Sequence, residues 1–172
     1  MEIVAQILGI LAVITCLLSY QFKKRKNIIV VNVISRFLYI MQYILLGAFE
    51  GAALDFTGAV SSVIASHKEK SFINKHFKTI VVLINIILIT IGIVLYENIF
   101  SIFAIIGIVL EITALWITKE KYIRILTLMS LPFWFAYNFA NCAYGSAIGN
   151  ILMLCSIVIA IFRYDIRRQN DN

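Results

Sequence analysis

At 172 residues, 62% hydrophobic and 14% charged, with a mean hydropathy of +0.94, the chain is too apolar for a water-soluble domain. Its formal net charge of +6 does not mark a nucleic-acid binder, because little sequence remains to build a soluble basic surface; the excess suits the anionic face of a membrane. Three scattered cysteines form neither a disulfide framework nor a zinc site, and Cys16, Cys142 and Cys155 are expected as buried small apolar residues.

A membrane-crossing helix needs about 20 mostly apolar residues. Seven runs approach that length, at 3–21, 28–48, 51–66, 79–96, 99–118, 123–141 and 143–162. The first follows Glu2 and ends in Lys23, Lys24, Arg25 and Lys26. That charge order is the reverse of a secretory signal, so the run is expected as an uncleaved helix with its amino end outside. Gln6, Gly9, Val13, Cys16 and Tyr20 keep one small or polar face together, the pattern of a helix-packing stripe.

The second run places Asn32, Arg36, Tyr39 and Tyr43 on one face, with Gln42 beside them. Arg36 lies ten residues beyond Lys26, about 15 Å along a helix and near a bilayer's centre. A charge there costs several kcal/mol and calls for a partner. The third run is dense in small residues, among them Gly51, Ala52, Gly58, Ala59, Ser61 and Ser62, which suit close approach at the centre of its half. Asp55 is placed about one turn below the outer surface, shallow enough to reach water.

Residues 67–78 are of mixed charge and read as a cytoplasmic link. His67 and His76 stand there without further ligands, so no metal site is expected. Residues 79–96 read as a plain connector helix facing lipid. The fifth run holds Glu111 eight residues before Lys119, about 12 Å from the cytoplasmic edge and at a depth similar to that of Arg36. Opposite charges in lipid persist by pairing. Arg36 and Glu111 are therefore expected to face each other, either as a static clamp or as an element that breaks during a cycle.

The sixth run carries the single proline, Pro132, and sets Trp134, Asn138 and Asn141 on one face. Trp116 and Tyr122 read as interfacial anchors. The seventh opens with Ala143, Gly145, Ser146, Ala147, Gly149 and Asn150, small residues again. Seven alternating helices put every Lys and Arg except Arg36 on one side, and Glu2, Glu50 and Glu97 on the other. Because cytoplasmic loops carry the basic excess, the amino terminus is expected outside and the carboxyl terminus in the cytoplasm.

Residues 26–66 laid onto 120–160 pair Tyr43 with Tyr137, Gly51 with Gly145, Ala53 with Ala147 and Ser62 with Ser156. The expected fold is an all-α membrane protein of seven transmembrane helices in one polytopic domain. Repeat one covers 3–66 and repeat two 99–162. Between them lie the 67–78 loop and the 79–96 connector, and a cytoplasmic tail covers 163–172. An odd number of helices per repeat plus one connector makes the repeats parallel.

The run Gln21, Phe22, Lys23, Lys24, Arg25 and Lys26, followed by Tyr39, Gln42, Tyr43, Leu46, Gly47, Gly51 and Ala52, resembles the bacterial inner-membrane YgjV family over most of the chain. The resemblance implies a bacterial inner-membrane location. The 3+1+3 plan is also similar to SWEET and PQ-loop proteins. Those carry prolines on several helices and a Pro-Gln pair, whereas this chain has Pro132 followed by Phe133. In SWEET-like proteins a polar pair on the third helix of each half touches substrate; Asp55 and Asn150 are the nearest positions here.

The function expected is transport of a small solute through a cavity lined by Arg36, Tyr39, Gln42, Asp55, Glu111, Trp134, Asn138 and Asn150. A non-transporting receptor or partner-binding subunit is the alternative. A continuous cavity favours the first and a filled centre the second. No Ser/His dyad, HExxH or nucleotide loop points to an enzyme, and no cofactor is expected. The bilayer and a small polar solute are the partners, and homo-oligomerisation is left open.

Overall fold

In the computed structural model the described residues are 2–19, 25–117 and 120–162. They form seven α-helices and no strand: α1 (Glu2–Ser19), α2 (Arg25–Leu46), α3 (Phe49–Ser66), α4 (Ser71–Val94), α5 (Ile99–Trp116), α6 (Glu120–Ala140) and α7 (Tyr144–Ala160). By length and hydropathy α4 and α5 suffice to cross a bilayer, while α1, the Val30–Leu46 part of α2 and α7 are apolar but shorter. Tyr20, Lys23, Lys24, Lys119 and residues 163–172 lie outside the described residues, so the one-sided basic charge stands on the sequence.

Large apolar side chains point outward: Ile7, Ile10 and Ile14 on α1, Phe37, Met41 and Ile44 on α2, Phe56, Val60 and Val63 on α3. Ser35, Arg36, Gln42, Asp55, Asn138 and Ser146 are buried instead. An apolar exterior around a polar interior is the arrangement a bilayer demands, since lipid offers polar groups no partners. α4 begins at Ser71, which shortens the link expected over 67–78 to 67–70. Its apolar face continues back through Ile80, Phe77 and Ile73, all packed on the core. Ile84, Leu88 and Gly92 carry the contact onward, and much of the rest of α4 faces out.

Sequence neighbours α1–α2, α2–α3, α5–α6 and α6–α7 pack side by side, and the ring closes through α1–α7 and α3–α5. α4 lies outside it, against α3 and α5. The α1 stripe makes the first closure: Gly9, Val13 and Cys16 are buried, and Val13 fills the space where Gly149 has no side chain. A Cβ at Gly145 would stand 3.0 Å from the Gln6 carbonyl oxygen and 3.2 Å from the Ile10 nitrogen. Neither belongs to a side chain that can swing aside. Gly145→Ala is therefore expected to destabilise by about 1–3 kcal/mol, read as a lower melting temperature in detergent; an unchanged value would show that α1 shifts freely.

The turns between α2 and α3 and between α6 and α7 match bond for bond. Ala48 N donates to Tyr43 O (2.9 Å) as Ala143 N does to Asn138 O (2.8 Å), and Gly47 N donates to Ile44 O (3.2 Å) as Cys142 N does to Phe139 O (3.2 Å). Gly47 (φ 77°) and Cys142 (φ 56°) hold the left-handed position of each turn. The correspondence has a spacing of 95 residues, that of Tyr43 and Asn138, one more than the overlay of 26–66 on 120–160. The backbone hydrogen bonds of the two turns carry the longer spacing. Asp55 then matches Asn150, and Tyr39 matches Trp134.

The cysteines divide. Cys16 is buried, but Cys142 and Cys155 are exposed, the former because it occupies a turn and the latter because it faces out from α7. Trp116 is no surface anchor: it is 3% exposed, and its Nε1 donates to Ser61 Oγ at 3.3 Å. Tyr122 is exposed.

Candidate functional site

The face of α2 predicted from spacing is realised around Arg36, which is 3% exposed. Its Nη1 donates to Asp55 Oδ1 on α3 at 2.6 Å, and its Nη2 donates to Glu111 Oε1 on α5. Trp134 on α6 adds a fourth helix, its Nε1 donating to Glu111 Oε2 at 3.1 Å. One guanidinium thus ties three helices through two carboxylates. Asp55 is not at a wet surface: its side chain is 7% exposed, against 28% for Glu111. With α3 starting at Phe49, Asp55 is six residues, about 9 Å, along that helix, and the long arginine side chain covers the rest. Counting depth by helix rise alone overlooked that reach.

Gly58 makes the approach possible. A Cβ there would meet Arg36 Nη1 at 2.7 Å, so any larger residue would require the guanidinium to shift from its place against α3. Replacing Gly58 by valine is expected to expel Arg36 from its carboxylates and to lower detergent stability by about 3 kcal/mol or more; an unchanged melting curve would mean the triad tolerates displacement.

Beside the triad lies a cavity of about 410 Å³. Arg36, Tyr39, Asp55, Glu111, Trp134, Asn138 and Asn150 line it, together with Cys16, Asn32, Ser35, Tyr43, Arg124, Thr127 and Ser130. Gln42 does not. One position from Tyr43 is a 100° turn of the helix, which sends Gln42 toward α1 and α7, where its amide lies against Gly9 and its Oε1 accepts from Ser146 Oγ. Arg124, Thr127 and Ser130 escaped the sequence reading, although they continue the helical face of Leu131, Trp134 and Asn138 by steps of three and four.

The cavity is closed at the end that carries the two tight turns. Tyr43 OH donates to Asn138 Oδ1 (2.6 Å), and Asn138 Nδ2 donates to Asn150 Oδ1 (2.8 Å). Above them Gly51 N donates to Tyr137 OH at 2.8 Å, and Ser146 Oγ donates to Gln42 Oε1. These last two contacts join corresponding positions at the 95-residue spacing, Gln42 with Tyr137 and Gly51 with Ser146, one through a backbone N–H and the other through a side-chain hydroxyl. Gln6 completes the end by donating to Cys142 O (2.7 Å) and accepting from Gly145 N (3.0 Å). Asn141 caps its own helix, with Nδ2 on Tyr137 O at 3.0 Å, and does not line the cavity. In the other direction Leu17, Asn32, Ile123, Arg124 and Ala160 lead toward the helix ends that adjoin the basic segments.

Among the described residues no cluster of His, Cys, Asp and Glu could hold a metal ion. An apolar exterior, a buried ion triad and a polar-lined central cavity define a helical integral membrane protein. The chain belongs to the Imp-YgjV family, bacterial inner membrane proteins, whose model matches residues 3–168. No curated protein and no solved structure matches the chain.

Proposed function

We propose that this inner-membrane protein is a small-solute transporter in which all seven helices span the bilayer. Two parallel three-helix repeats, α1–α3 and α5–α7, are joined by α4, and the solute passes between them unchanged. The observation that carries this reading is the cavity between the halves, closed at one end by hydrogen bonds that correspond under the repeat and leading at the other toward the basic segments. The pairing of helices agrees with it: α1–α2 answers to α5–α6, α2–α3 to α6–α7, and α1–α7 to α5–α3. A pseudo-twofold axis then passes beside the Tyr43–Asn138 bond, whose two residues correspond to each other. Binding at a repeat interface with one end shut is the geometry of alternating access. With the basic side cytoplasmic, the state described is inward-open, the amino terminus outside.

Side-specific labelling tests it. With Cys16, Cys142 and Cys155 replaced by alanine, Thr127→Cys is expected to react with a membrane-impermeant maleimide from the cytoplasmic face, and Glu97→Cys from the outer face. Thr127→Cys that no reagent reaches from the cytoplasm would remove the inward-open cavity.

A further inference from the structure

Given the transport cavity proposed above, we infer that its solute is a small organic monocation, an ammonium held by Glu111 beside Trp134. The first ground is charge. Arg36 brings one positive charge to two carboxylates, so the triad keeps one negative charge if all three groups are ionised. Such a charge is costly in a membrane interior unless a partner meets it. Asp55 is the enclosed partner of Arg36 and Glu111 the accessible one, with side-chain exposures of 7% and 28%, so the excess charge is presented to the cavity at Glu111.

The second ground is the wall around that carboxylate. Trp134, Tyr39 and Tyr43 line the same cavity, and an aromatic wall beside a carboxylate is how proteins recognise ammonium groups. Among the described residues, Cys16 and Arg124 are the remaining titratable groups of the lining. Arg124 stands ten residues before Trp134 on α6, about 15 Å along the axis, and marks the mouth. An anion would be repelled by the triad, and a neutral sugar would leave the triad's charge unmatched. A volume near 410 Å³ falls at the lower end of the usual range for small-molecule sites, about 300–1,000 Å³.

The chain has two tryptophans, so Trp116→Phe leaves Trp134 as the sole indole and an emission reporter at the site. Purified protein of this variant would be titrated at fixed ionic strength with tetramethylammonium and ethylammonium, and with methanesulfonate and glycerol as anionic and neutral probes. A saturable emission change with the two cations alone is expected. Glu111→Gln should weaken it about tenfold or more, while Glu111→Asp, which keeps the charge, retains most of it. A saturable response to methanesulfonate or glycerol instead would overturn the cationic assignment and leave the transport cavity standing. Undiminished binding in Glu111→Gln overturns it as well. So does emission that ignores every probe yet follows pH in a way Glu111→Gln abolishes, because a proton would then meet the charge; and so does silence toward all probes and pH. Failure of the cavity itself reads out separately, as Thr127→Cys that cannot be labelled.

Discussion

Arg36→Met is expected to be the most damaging single substitution on the α2 face, costing about 3–5 kcal/mol, because it strands Asp55 and Glu111 without their cation. Natural domains are stable by only about 5–15 kcal/mol, so most of the variant should be lost from the monodisperse fraction after detergent extraction. The triple variant Arg36→Met, Asp55→Asn, Glu111→Gln removes the charges together and is expected to recover much of the wild-type melting temperature. Neutral side chains of similar volume often hold a core as well as a buried ion group does. The pair of variants separates a clamp from a working element. A triple variant that is stable yet no longer binds or moves solute would show that the charges are kept for function; one that works normally would reduce them to a tie between α2, α3 and α5. Arg36→Met as stable as wild type would mean the carboxylates find other partners, and the triad would lose its structural role.

Helix-level organisation was legible because lipid makes the pattern simple: apolar runs separated by short turns mark out the seven helices. Arg36 and Glu111 stood out as charges at similar depth, and the structure puts them in contact. What the sequence hid is lateral. Asp55 looked shallow because helix rise measures depth along an axis and says nothing of how far an arginine reaches across. Gln42 sits one residue from Tyr43, yet that single step turns it out of the cavity and onto Gly9. The one-residue difference between the sequence overlay and the spacing of the two turns has a similar origin: side-chain identities in an Ile-rich chain are nearly degenerate, whereas the backbone bonds of residues 43–48 and 138–143 are not. Trp116, assigned to the interface from its position near the run's end, is instead enclosed against Ser61.

Opening the closed end is the second large effect expected. Gln42→Leu leaves the buried Ser146 hydroxyl without its acceptor, and Tyr137→Phe takes the phenolic oxygen from Gly51 N. Each loss is worth about 1–3 kcal/mol where the groups stay buried. Because both bonds join one half to the other, Gln42 on α2 to Ser146 on α7 and Gly51 on α3 to Tyr137 on α6, the double variant should loosen the end evenly and not distort one side. If the bonds are made in the inward-open state and broken in the outward-open one, their loss transfers directly into that equilibrium, and about 3 kcal/mol is more than a hundredfold change in population. Thr127→Cys in the double variant is then expected to become reactive toward a maleimide added from the outer face, with cytoplasmic labelling correspondingly slowed. Tyr43 and Asn138 supply the control: theirs is a single bond between two residues 95 apart, so Tyr43→Phe removes one contact and should produce a smaller change of the same direction. A double variant that only melts earlier, with Thr127→Cys still confined to cytoplasmic labelling, would make these hydrogen bonds part of a permanent wall. The two halves would then be fixed against each other, and transport by alternating access would have no moving part at this end.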